Sequence, residues 1–388
     1  MPTSSRTVLP VLVFAQFAGT SLWFAGNAVL TTLQQYLGLP VTSLSYITIA
    51  VQLGFITGTL GFALIALPDR IPSRWLFLIS SLLGALCNAS LLIASSLPEV
   101  LVGRFLTGIC LAGIYPIGMK IAAEWFPQGL GKALGLLVGA LVLGTAFPHL
   151  LRSYQDVLSW KQLMVGTSLL AIVGGFSLFV LIPATKGRAT SSRFEVGGVF
   201  KAFQQSSFKS AAWGYFGHMW ELYTFWAFLP LLLHYYNQQH PDASLAVSFW
   251  AFLIIAMGLL GCVVGGFWSE RIGSVRVAYY ALWVSGLCCL GLLGAVQLAP
   301  AGFIMFLLVW GFAVAADSPQ LSSLVAGFAP ADLKGTALTL STCIGFSITI
   351  VSIQLCQWAS TYLSLPVILT GLALGPMVSI VAIKKLTI

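Results

Sequence analysis

Twelve long apolar stretches, separated by short polar turns, run along the chain at residues 8–33, 43–66, 75–96, 99–122, 131–151, 160–182, 209–235, 244–268, 276–298, 301–325, 335–357 and 362–383. A bilayer hydrocarbon core of ~30 Å is crossed by roughly 20 residues of α-helix, so each stretch is long enough to span. The stretches are continuously apolar, whereas the strands of a membrane barrel would alternate over about 10 residues. The pattern predicts an all-α membrane protein with twelve transmembrane helices. The first stretch follows Arg6 and could mimic a secretory leader, but it is long and lacks a convincing small-residue cleavage site. It reads as the first spanning helix.

The polar positions between the stretches set the orientation. With a cytoplasmic N-terminus, Arg6, Arg70, Arg74, Lys120, Lys132, Lys186, Arg188, Arg193, Lys201, Lys209, Arg271, Arg276, Lys334, Lys384 and Lys385 all fall inside. Only Arg152 and Lys161 fall outside, a split of 15 to 2. That is the asymmetry expected of Lys and Arg around a membrane, and it puts both termini in the cytoplasm. One missed helix would scramble the split, so the count and the phase support each other.

The longest polar segment, 183–208, separates six stretches (1–182) from six (209–388). Within it FEVGGVFKAF is either a short amphipathic helix on the cytoplasmic membrane surface or part of a flexible linker. The halves echo each other. Asp69-Arg70-Ile71 matches Glu270-Arg271-Ile272 at an offset of 201, and PQGLGKA from Pro127 matches PADLKGTA from Pro330 at 203–204. Two echoes at nearly one offset argue for a duplicated six-helix unit, hence two pseudo-symmetric bundles with a path along the axis between them.

Composition narrows the classes. The chain is 58% hydrophobic and 7% charged, which excludes intrinsic disorder and a secreted disulfide scaffold. The net charge of +8 is spread over short loops, with no basic run interleaved with aromatics, so no nucleic-acid partner is expected. The seven cysteines lie in apolar stretches without CxxC spacing and read as small packing residues. No P-loop, HExxH or paired-aspartate signature occurs, so neither ATP-driven pumping nor an enzyme is expected, and no cofactor.

Against this background a few polar residues stand out. His218 and Glu221 lie three apart in the seventh stretch and share a helical face. Asp317 lies in the tenth, followed by Pro319, which cannot bond to the carbonyl of Ala315. Arg104 lies inside the fourth. An ionisable side chain facing hydrocarbon costs several kcal/mol, so these groups must meet a partner or a hydrated path. Carboxyl and imidazole groups in such a setting can take up and release a proton as water access alternates. Glu221 and Asp317 are therefore candidate proton carriers, with His218 as relay. A satisfied polar cluster that fixes helix packing is the structural alternative. A metal site on His218 and Glu221 is the other, short of ligands. Arg104 could couple, pair with Glu99 or hold an anionic solute.

Several short motifs fall at matching places. Asp69, Arg70 and Arg74 follow the second stretch, and Gly266 near the end of the eighth is followed by Glu270, Arg271, Gly273 and Arg276. Arg104 is followed four residues later by Gly108. With twelve helices, these motifs resemble those of the major facilitator superfamily over essentially the whole chain. The glycines of the first loop copy are replaced by Ile65 and Pro72, and the helix-5 Gly-Pro dipeptide of many antiporters is missing, since Gly144 and Pro148 are separated. Direction therefore does not carry over. Gly131, Gly135, Gly139 and Gly144 read as close-packing positions. The resemblance implies gating by Asp69, Arg70, Arg74, Glu270, Arg271 and Arg276, and a coupling role for Arg104.

Aromatic residues with a few polar groups suit an organic solute. Candidate contacts are Gln16, Trp23, Phe24 and Asn27 in the first stretch, Tyr115 in the fourth, Tyr215 and Tyr223 in the seventh and Gln320 in the tenth. Embedded acids outnumber embedded bases, which favours a neutral or cationic solute. The expectation is a proton-coupled secondary transporter of a small organic solute, working by alternating access as a monomer in the cytoplasmic (inner) membrane of a bacterium. Its partners are the solute, protons and the bilayer. An uncoupled facilitator, or a metal-ion or metal-chelate transporter using His218 and Glu221, is the alternative.

Overall fold

The structure, a computed structural model, describes residues 5–40, 43–126, 130–183, 198–330 and 333–386. Lys186, Arg188, Arg193 and the first part of the expected amphipathic segment lie outside them, as do parts of the PQGLGKA and PADLKGTA echoes. All regular structure among the described residues is helical. The chain forms two compact units, Met1–Glu195 and Val196–Ile388.

The first unit contains α1 (Ser5–Thr20), α2 (Ala25–Ala28), α3 (Leu30–Leu37), α4 (Ser43–Leu64), α5 (Leu67–Arg70), α6 (Ser73–Ala89), α7 (Leu97–Leu111), α8 (Tyr115–Trp125), α9 (Leu130–Ser153) and α10 (Trp160–Leu181). The second contains α11 (Gly198–Gln204), α12 (Ser206–Gln239), α13 (Val247–Ile272), α14 (Ser274–Ala295), α15 (Pro300–Ala316), α16 (Ser318–Phe328), α17 (Lys334–Ala359), α18 (Leu365–Thr370) and α19 (Leu374–Ile383). Ten helices among the described residues are long and apolar enough to cross a membrane, and Thr7–Thr20 is a shorter apolar helix. The first expected stretch is broken after Thr20 into α1, α2 and α3. The seventh forms α12, which is 34 residues long and holds His218 and Glu221.

The helices are apolar on all sides because one face packs on neighbours and the other meets lipid. Leu86, Ile93, Leu287 and Met305 show the second kind of face, large apolar side chains left exposed. Local chemistry sets the ends. Ser159 opens α10 with a reciprocal cap, its hydroxyl accepting from the Gln162 amide while the Gln162 side chain accepts from the Ser159 amide. Proline opens several helices, among them α7, α8, α15, α16 and α18, where its missing N–H costs nothing.

Glycine lets helices cross in contact. In the first unit a Cβ on Gly54 of α4 would meet the Phe105 carbonyl of α7, and one on Gly108 of α7 would meet the Val51 carbonyl of α4. The second unit repeats the device, with Gly261 of α13 against the Phe312 carbonyl of α15 and Gly311 of α15 against the Ile254 carbonyl of α13. Of the expected small-residue series on α9, Gly144 is in close contact with Phe17 and Thr20 of α1, while Gly131 has open space around it.

The second half of the FEVGGVFKAF segment is α11. Its Ala202 is buried, and Phe203 packs on Phe208 and Phe216 with ring centroids 5.3 and 6.3 Å away.

Candidate functional site

Two helix breaks organise the embedded polar residues. In the second unit the tenth expected helix stops at Ala316 and restarts at Ser318, with Asp317 between. Pro319 removes the N–H that would bond to Ala315. The carbonyl of Ala315 accepts instead from Cys262 Sγ at 3.2 Å, so the freed group stays satisfied. Asp317 occupies the N-cap of α16, yet its side chain makes no cap hydrogen bond. It turns to His218 on α12, whose Nδ1 lies 2.9 Å from Asp317 Oδ1, a contact that is an ion pair when the imidazole is protonated. The positive N-terminal end of α16 also favours a carboxylate there. Both side chains are about 1% exposed, so the pair is shielded from screening by bulk water. His218 Nε2 has no hydrogen-bond partner among the described residues. The Tyr215 ring lies 6.3 Å from the imidazole.

One turn along α12, Glu221 is equally buried. Its Oε1 accepts from Trp310 Nε1 of α15 at 2.7 Å, from Cys289 Sγ of α14 at 3.2 Å and from the Ser285 hydroxyl of α14. Trp310 is fixed in turn by stacking on Phe225, centroids 4.2 Å apart. Sequence reasoning missed all three donors. Ser285 and Cys289 stand four residues apart on one helical face, a signal that was present, but Cys289 reads as a packing residue until its neighbour is known.

In the first unit, residues 21–24 interrupt the first expected helix. Thr20 and Ser21 hydroxyls donate back to the carbonyls of Gln16 and Ala18. Arg104 completes the break. Its Nη2 donates to the Leu22 carbonyl at 3.0 Å and to the Trp23 carbonyl, and its Nη1 to Asn88 Oδ1 at 3.1 Å. Asn88 is held by Thr167 and Ser168 of α10. The guanidinium lies against Gly26, where a Cβ would come within 3.0 Å of Nε. Arg104 is fully buried. The expected alternative of pairing with Glu99 is not formed, because Glu99 accepts from the Ser95 amide at 2.8 Å and from the Ser96 hydroxyl at 2.9 Å.

The candidate solute contacts divide between the units. Trp23 packs on Phe55 at 5.0 Å, and Asn27 donates to the Thr48 hydroxyl at 2.6 Å. Gln16 is buried with neither amide atom hydrogen-bonded among the described residues, and Gln52 on α4 is in the same state. Tyr115 opens α8 after a turn at 112–114, with Pro116 in the first turn of the helix. Phe24 lies 6.5 Å from the ring of His149. His149 reads from the sequence as an interfacial residue, but it is 3% exposed and its Nε2 has no partner among the described residues. In the second unit Tyr223 packs on Trp226 and Phe346 at 5.2 and 5.1 Å, and Gln320 is buried in α16.

The gating candidates sit at helix ends. Asp69 Oδ1 lies 3.1 Å from Lys120 Nζ, which also donates to the Pro68 carbonyl. Arg74 lies over the Phe179 ring at 5.2 Å. Arg70, Glu270, Arg271 and Arg276 are exposed. No group of three or more His, Cys, Asp or Glu that could hold a metal ion occurs among the described residues.

Residues 12–353 match the model of the Major Facilitator Superfamily. A search of curated proteins returns no match. Among solved structures, that of the human organic anion transporter MFSD10 (TETRAN) aligns with a TM-score of 0.76 at 16% identity, covering 99% of this chain and 100% of that one. At that identity the likeness is one of fold.

Proposed function

Because the chain belongs to the major facilitator superfamily, a family of membrane transporters, we propose that it moves a small organic solute by alternating access and couples that movement to protons. The reading takes twelve crossings, both termini cytoplasmic, in the inner membrane of a bacterium. The observation that carries it is the buried contact between His218 and Asp317 at the break between α15 and α16. A single contact between two helices opens when either helix shifts, and it then exposes a carboxyl and an imidazole to a hydrated path.

The two acids play different parts. Asp317, with His218, exchanges the proton. Glu221 is fixed by three donors on one oxygen, and turning it would break all three bonds. It holds α12 to α14 and α15. Arg104 acts on the solute site indirectly, by holding the unwound turn that carries Trp23 and Phe24.

The solute is neutral or cationic. Arg104 directs its guanidinium to Asn88 and to helix carbonyls, which leaves it unavailable to a solute carboxylate. Gln16, Asn27, Tyr115, Tyr215, Tyr223 and Gln320, with Trp23 and Phe24, supply the polar and aromatic contacts. Gating belongs to Asp69, Arg70, Arg74, Glu270, Arg271 and Arg276.

The test is a screen of neutral, cationic and anionic solutes in proteoliposomes, with and without an imposed pH gradient. Gradient-dependent accumulation of a neutral or cationic solute supports the reading. Equilibration that ignores the gradient makes the protein a facilitator and removes the proton role.

A further inference from the structure

A cavity of about 540 Å³ opens on the second unit between the start of α12 and the end of α19, lined by none of the candidate proton or solute residues. Its walls follow helical spacing on both sides. Ser206, Lys209, Ser210 and Trp213 line it from α12. Met377 and Val381 line it from α19, with Lys385 just beyond.

The chemistry changes with depth. Trp213, Met377 and Val381 are 46%, 55% and 66% exposed, so the deeper wall is a large apolar surface of the kind that meets acyl chains. At the mouth stand two lysines. No acid lies within ion-pair distance of either among the described residues. The first turn of α12 lies at the same level. Gln205 gives it no side-chain cap, and intrahelical bonding starts at the Lys209 amide. The amides of the exposed Ser206 and Ser207 therefore offer donors at the positive end of a long helix. Lysines, hydroxyls and orphan amides together suit a phosphate. Trp213, one turn along α12 from Lys209, is a residue type enriched at lipid headgroup boundaries. Lys209 and Lys385 both belong to the side that the distribution of Lys and Arg assigns to the cytoplasm.

We infer that this groove binds one anionic phospholipid of the cytoplasmic leaflet, its phosphate between Lys209, Lys385 and the first turn of α12 and its acyl chain along Trp213, Met377 and Val381. Basic pockets between membrane helices on the cytoplasmic side hold anionic headgroups by this combination. A free phosphate would use the mouth of the groove and leave the apolar wall idle.

The full chain is equilibrated with mixed vesicles of phosphatidylglycerol and phosphatidylethanolamine, extracted in mild detergent, and the retained lipid is counted by native mass spectrometry. The wild type is expected to keep one phosphatidylglycerol in preference to phosphatidylethanolamine. Lys209→Gln with Lys385→Gln should lower that retention roughly thirty-fold, the effect of two lysines near a charged surface. Lys209→Arg with Lys385→Arg should keep it, as should the charge control Lys132→Gln with Lys334→Gln. Unchanged retention in the glutamine pair, or equal loss in the control, overturns the site. Displacement of the lipid by an equal concentration of inorganic phosphate overturns the lipid assignment.

Discussion

Nδ1 of His218 lies 2.9 Å from Oδ1 of Asp317, and this contact ties α12 to the gap between α15 and α16. Removing one member of a buried ion pair strands the other, at a cost of about 3–5 kcal/mol. His218→Ala should therefore lower the melting temperature in detergent more than Asp317→Asn does, because a neutral amide in place of the carboxylate leaves no buried acid stranded. Equal melting of both variants with the wild type would show that the two groups do not interact energetically.

Arg104 and Gly26 form a second coupled pair. Lysine at 104 cannot reach Asn88 and two carbonyls at once, and losing charged hydrogen bonds costs about 1.5–3 kcal/mol each. Gly26→Ala should move the same guanidinium, since its Cβ would come within 3.0 Å of Nε. The double variant Gly26→Ala with Arg104→Lys should then be less destabilised than the sum of the two. Strict additivity in thermal unfolding would contradict the clamp.

The crossing of α4 and α7 leaves no room for a side chain at Gly108. Gly108→Ala should cost about 1–3 kcal/mol through overpacking against the Val51 carbonyl. Gly61→Ala on the same α4 has open space around it and should leave stability unchanged or slightly raised. The pair of variants, compared in one unfolding assay, separates close packing from a general intolerance of α4 and α7 to substitution.

Asp69 and Lys120 predict the opposite of the buried pairs. Their side chains are 35% and 33% exposed, and ion pairs so placed contribute under about 1 kcal/mol. Asp69→Asn should barely change melting. If the contact gates access, the variant should instead change the rate at which cysteines introduced on α12 react with a membrane-impermeant maleimide. An unchanged rate removes Asp69 from the gate.

The apolar stretches made the helices legible, because continuous hydrophobicity over a bilayer's thickness has few other solutions. The break at Asp317 was legible too, since Pro319 cannot extend a helix, whereas 99–122 reads as one helix and the structure breaks it before Tyr115. The break at 21–24 was not. No proline stands there, and what stabilises it is Arg104, some eighty residues away in sequence. The setting of Glu221 was hidden for the same reason. Ser285, Cys289 and Trp310 are individually ordinary, and only packing shows that they converge on one carboxyl oxygen. His149 failed differently. Counting residues from the helix end placed it at an interface, while the interrupted first helix brings Phe24 beside its ring.

Asp317→Asn gives the most direct measurement of the central claim. In proteoliposomes the variant should exchange labelled for unlabelled solute at close to the wild-type rate while failing to accumulate solute when a pH gradient is imposed. Retained exchange establishes a folded solute path, so lost accumulation isolates the proton. Gradient-driven accumulation that survives intact in Asp317→Asn would contradict the account.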